Sequence, residues 1–144
     1  MDVTNLLLAI LGIGLLVAFH ELGHHLAALW TGMKVRRFSI GFGKPIFTAE
    51  HKGVEYTVGM LPLGGDVDIA GMNPLEEGAD TEPGSYLGKP RWARALVVAA
   101  GPAFNYALAW MLLVGLFALG GTRQNLEFDV RSVLPASPAE AAGI

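Results

Sequence analysis

Apolar residues run almost unbroken from Val3 to Met33, and the only titratable side chains in that stretch are His20, Glu21, His24 and His25. A helix needs roughly 20 residues to cross the hydrocarbon of a bilayer, so this run predicts a transmembrane helix over 3–33. A second run, free of charge from about Ala95 to Leu119, is approached through Lys89, Arg91, Trp92 and Arg94 and predicts another over 92–119. Trp92 suits the interface where such a helix leaves the membrane. Between them the period changes from helical to alternating. Phe38, Ile40 and Phe42 alternate with Arg37, Ser39 and Gly41; Ile46–Glu50 and Val54–Val58 flank His51-Lys52-Gly53 and predict a hairpin. The β-loop so defined covers 35–72. Residues 73–91 read as a solvated connection, acidic and rich in Gly and Pro as far as Gly88. Beyond the second span, Phe128–Leu134 reads as a strand and Ser137-Pro138-Ala139 as the start of a helix.

Composition agrees with the bilayer. Hydrophobic residues make up 52% and charged residues 16%, with a mean hydropathy of +0.44. The net charge of −3 gives no reason to expect nucleic acid as a partner. Cysteine is absent, so any metal must be held by His and carboxylate. Met1–Asn5 lacks the basic residues of a signal peptide, which predicts a retained helix rather than a cleaved one. Eight of the ten basic residues lie between the two spans, and Lys34, Arg36 and Arg37 follow the first directly. The positive-inside bias therefore puts the loop 34–94 in the cytoplasm and both termini outside.

The chemistry is concentrated in His20-Glu21-Leu22-Gly23-His24. H-E-x-x-H on a helix sets two imidazoles one turn apart on one face, where they can share a zinc ion, with Glu21 beside them as general base. The alternative is that these are polar residues packed against a partner helix. Ionisable groups inside a membrane are costly and mark function, which favours the metal. His20 lies about 16 Å below Thr31 at the helical rise, so the site requires a water-filled pocket. His25, about 100° round from His24, points off the metal face. In the second span Gly101 permits close helix approach, Pro102 frees a carbonyl, and Asn105 is the strongly polar side chain. Asn105 either bonds across the helix interface or faces the pocket and donates to a substrate carbonyl or oxyanion.

Five stretches in this order carry a resemblance: His20–His24, Arg37-Phe38-Ser39-Ile40-Gly41-Phe42-Gly43, Pro62-Leu63-Gly64-Gly65, Trp92-Ala93-Arg94-Ala95 and Ala100-Gly101-Pro102-Ala103-Phe104-Asn105. The chain resembles the site-2 protease family of intramembrane zinc metalloproteases, and within it the bacterial regulator of sigma-E protease group. The resemblance implies a mainly α membrane protein with two transmembrane helices, a membrane-associated β-loop and, over 127–144, the beginning of a PDZ domain after a protease portion over 1–126. It implies Zn2+ held by His20 and His24, Glu21 as catalytic base, and a multi-pass protein of the bacterial inner membrane. Its substrates would be transmembrane segments of single-pass proteins, of the anti-sigma factor or signal-peptide type, trimmed beforehand by another protease. The chain departs from the family twice. The family's third zinc ligand, an Asp in a Leu-Asp-Gly motif on a later helix, is not found here, and Asp66 and Asp68 stand where an aromatic and a basic residue are usual. The first departure implies an N-terminal portion of a longer protein, inactive alone and weak in zinc binding. The rival expectation is a non-catalytic membrane adaptor that binds partners through the β-loop.

Overall fold

The computed structural model describes residues 2–73, 82–120, 135 and 137–141. Helix α1 spans Val3–Trp30 and ends on Thr31, whose hydroxyl donates to the carbonyls of Ala27 and Ala28 at 2.8 and 3.1 Å. Two strands follow, β1 Val35–His51 and β2 Val54–Ile69, and then helix α2, Arg91–Ala118. A single turn, α3, covers Pro138–Ala141. Each long helix has 28 residues, with mean hydropathy 2.1 and 1.7, long and apolar enough to cross a membrane. Leu6, Leu7, Leu8, Leu11, Ile13 and Leu16 on α1 and Trp110 to Val114 on α2 are exposed. Lipid is the solvent in which such surfaces are stable.

The hairpin turns on Lys52 and Gly53, with φ of 51° and 77°. Two successive residues at positive φ match the right-handed twist of the strands they join. Around this turn β1 and β2 pair antiparallel, His51 with Val54 and Thr48 with Thr57. Gly41, at φ 84°, then lets β1 change direction, so that Arg37–Ile40 acquire partners on both sides. On one side lie Asp68, Val67, Asp66 and Gly65; on the other lie Glu55, Tyr56, Thr57 and Val58. The four segments therefore lie in the order 47–51, 54–58, 37–40, 65–69, and 65–69 forms an edge. The expectation of a mainly helical chain needs correction, because strands of 17 and 16 residues stand beside the two helices. Gly41, Gly43 and Gly64 all take positive φ, and the strands bend through them and go on pairing.

The core lies where this sheet meets the helices: Ala27 and Ala28 of α1, Met33, Val35, Phe38, Val54 and Ile69, and Ala93 and Val97 of α2. Small residues let the two helices approach closely, which in a membrane substitutes packing for the hydrophobic effect. Residues 82–90, expected to be merely solvated, are tied down. Lys34 N–H donates to Gly84 O at 2.9 Å, Ala70 N–H to Lys34 O at 2.9 Å, and Tyr86 N–H to Ala70 O at 2.8 Å. Lys34 (2.7 Å) and Arg36 both donate to Glu82, whose carboxyl those bonds hold below its usual range, and Ser85 is buried. The sequence shows the acidic and Gly/Pro character of this stretch but not the ladder that pins it. The strand expected at 128–134, and most of the PDZ portion expected over 127–144, lie outside the described residues.

Candidate metal centre

His20 and His24 sit one turn apart on α1, with ring centroids 4.8 Å apart and planes at 77°. Each is held from behind by α2. His24 Nδ1 is 2.7 Å from Val97 O. A carbonyl can only accept, so that nitrogen carries the proton and Nε2 presents its lone pair. His20 Nδ1 is 3.1 Å from the amide of Asn105, while Oδ1 of the same amide is buried and has no partner. With Nδ2 facing the ring, His20 Nδ1 accepts and its proton sits on Nε2. With the amide turned, Oδ1 accepts from Nδ1–H, Nε2 is freed as a ligand, and the NH2 group occupies the unpartnered position. Only the second arrangement suits a metal.

The two Nε2 atoms converge over Gly101. A Cβ placed there would come within 2.7 Å of His20 Nε2 and 2.6 Å of His24 Cε1, and would press on His24 Nε2 as well. Gly23, one residue before His24, has its own missing Cβ filled by the backbone of Ala100, with its carbonyl carbon at 2.8 Å. Gly23 and Gly101 thus bring α1 and α2 close enough for the imidazoles to be gripped by backbone and amide. With the Asn105 amide turned so that Oδ1 faces His20, the donor set fits zinc: two imidazoles, each with its Nδ1 engaged by α2 and its Nε2 lone pair on one side. It supplies two of the three protein ligands usual at catalytic zinc; among the described residues no group of three metal-ligating side chains occurs.

Glu21 lies between these ligands and the sheet. A Cβ on Gly65 would stand 2.6 Å from Glu21 Cγ and 2.9 Å from Ser39 O, so the edge segment passes directly over the carboxylate's stem. A cavity of about 220 Å³ opens there, lined by Glu21, His24, Gly65, Asp66, Val67, Ile69 and Met72. The volume accommodates several waters or one extended stretch of backbone. The sequence singles out the Gly64-Gly65 pair, but the reason for Gly65, clearance over Glu21, is a tertiary fact. Asp66, exposed, accepts from Arg37 Nη2 at 3.1 Å; that bond raises the Arg37 pKa. His25 points away from the metal, its Nε2 3.2 Å from Tyr56 Oη. Asn105 meets His20 across the helix interface rather than opening onto the cavity beside Glu21.

The family model for Peptidase family M50 matches residues 8–141. Zinc metalloprotease Rip1 of Mycobacterium tuberculosis is 39% identical over 135 residues, which cover 93% of this chain and 33% of the relative. Metalloprotease MmpA of Caulobacter vibrioides is 35% identical over 150 residues, covering 91% of this chain and 37% of the relative. The chain spans from 21% to 37% of the length of such curated relatives.

Proposed function

The chain belongs to Peptidase family M50, and on that premise we propose that it supplies the metal-binding and base-bearing part of a zinc-dependent intramembrane endopeptidase. The observation that carries this reading is the convergence of His20 and His24 Nε2 over Gly101, with Glu21 between them and a sheet edge. His20 and His24 hold the ion, and a third ligand comes from residues of the whole protein other than those described. Zinc supplies Lewis acidity, lowering the pKa of water and polarising a carbonyl. Glu21 takes the proton of the attacking water and passes it to the departing amine, which the cavity's size permits. Asn105, with Oδ1 on His20, holds that ring in its ligating tautomer from across the helix interface.

The substrate is a transmembrane segment of a single-pass protein, of the anti-sigma factor or signal-peptide type. A helix shields its own amides, so it must unwind to be cut, and its backbone then needs new partners. Segment 65–69 offers them. It pairs with 35–40 on one side, and its other side faces the cavity with Glu21 and His24. Addition of the substrate as a further strand would lay its carbonyls beside Glu21. The residues from 127 on begin a PDZ domain that admits only trimmed substrates.

In proteoliposomes, the intact protein is expected to cut a single-pass substrate within its apolar segment, to stop when zinc is chelated, and to resume when zinc is restored. Cleavage indifferent to chelation would remove the metal from the account. The protein resides in the membrane, with the β-loop on the cytoplasmic side because Lys34, Arg36 and Arg37 follow α1. A cysteine introduced at Lys52 is expected to resist an impermeant reagent in intact cells, and one at Leu119 to react. The opposite pattern would invert the orientation.

A further inference from the structure

His24 and His25 are consecutive, yet they tie α1 to different parts of the molecule. His24 is anchored to α2 through Val97 O, whereas His25 is anchored to the β-loop. The His25 ring is only 4% exposed. It lies 4.9 Å from the ring of Phe38 and 5.6 Å from that of Tyr56, centroid to centroid, with its Nε2 3.2 Å from Tyr56 Oη. Phe38 and Tyr56 are cross-strand partners, their own rings 6.0 Å apart, and Phe38 also pairs with Val67 of the edge segment. A hydrogen-bonding ring inside a membrane protein, held by two aromatic rings and one hydroxyl, is a specific joint rather than general packing.

Helical geometry shows what the joint controls. Glu21 precedes His25 by four residues and so shares its face of α1, about 40° round, while His24 stands about 100° away. The sheet that clasps His25 is therefore the sheet that covers Glu21. From Phe38 the pairing runs to Val67, and Gly65 of that same segment sits over the Glu21 side chain. The aromatic contacts thus tie the strand beside this edge to the face of α1 that carries Glu21.

We propose that His25, Phe38 and Tyr56 form a positioning clasp that fixes the height of the substrate-accepting edge, 65–69, over Glu21, and so decides which peptide bond faces the base. This rests on the proposed protease reading but does not touch substrate or metal. A displacement of about 1 Å between reacting groups can cost up to 100-fold in rate. A loosened clasp thus shows itself first in turnover and in the choice of bond, with zinc content unchanged.

Two variants test it in the intact protein. Tyr56→Phe keeps the ring and removes the hydroxyl, so the fold is retained; Tyr56→Ala removes the clasp's second wall. The first readout does not depend on catalysis. Spin labels on cysteines introduced at Trp30 and Met60, exposed at 78% and 61%, report the distance between α1 and the β-loop, and these 144 residues hold no native cysteine. The native protein is expected to give one narrow distribution, Tyr56→Phe a slightly broader one, and Tyr56→Ala a clearly broadened one. The second readout is cleavage. The kcat is expected to fall about threefold for Tyr56→Phe, the net value of one hydrogen bond, and about tenfold for Tyr56→Ala. KM should change little, and mass spectrometry should find products cut at neighbouring bonds. An unchanged distance distribution in Tyr56→Ala overturns the clasp, whatever the protease does. So does a single unshifted cleavage site at native kcat. If the native protein cuts nothing, the protease reading fails while the distances still decide the clasp.

Discussion

Glu21→Gln in the whole protein is expected to lower turnover by about 10²- to 10⁴-fold, the usual share of a general base. The substitution is nearly isosteric, which matters here because Gly65 leaves no slack over the Glu21 stem. An amide cannot take a proton from water at neutral pH, so the chemical step fails while the cavity keeps its shape. Substrate affinity should survive if, as proposed, the sheet edge rather than the carboxylate holds the substrate. Single-turnover kinetics separates the two. A variant within a few-fold of native turnover would show that another group is the base.

The second large effect is expected at Gly101. Replacement by Ala puts a methyl group against both imidazoles, within 2.7 Å of His20 Nε2 and 2.6 Å of His24 Cε1. Neither ring can retreat freely, because His24 is fixed to Val97 O and His20 to Asn105. Either the helices separate, which gives up the Gly23 and Ala100 contact, or the rings rotate and lose their common focus. Overpacking of this kind costs about 1–3 kcal/mol, and disturbing what orients metal ligands costs about 10- to 100-fold in affinity. Zinc competition with a chromophoric chelator should register that loss. Gly115→Ala, on the same helix with open space around it, is the control and should bind zinc as the native protein does. Equal affinity in both variants would mean that the metal does not sit over Gly101.

How much of this can be read from the sequence depends on how local the cause is. The helices are legible because an apolar run of 25 residues or more with at most one Asp, Glu, Lys or Arg has few other fates in water or lipid; α1 ends at Trp30 rather than Met33 because Thr31 and Gly32 close it. The pairing of His20 with His24 is legible because a helix fixes the i, i+4 relation. The hairpin turn is legible at Lys52-Gly53, where two residues take positive φ. The double pairing of Arg37–Ile40 is not, since it depends on where Gly41 bends the strand and on which distant segment returns. The partner of Asn105 is equally hidden: an amide in an apolar helix announces a hydrogen bond but not whether it meets a substrate or His20. His25 shows the same limit. Its angle off the metal face follows from helical arithmetic, while its partners, Phe38 and Tyr56, come from strands that only the folded chain brings there.

On the proposed reading, His20 and His24 hold one zinc ion through Nε2 while Glu21 stays free of it. X-ray absorption fine structure at the zinc edge of the intact protein tests this most directly. Two imidazole ligands at about 2.0–2.1 Å are expected, with one in His20→Ala or in His24→Ala and an unchanged pair in Glu21→Gln. A spectrum that loses a ligand in Glu21→Gln, or keeps both imidazoles in His24→Ala, would contradict it.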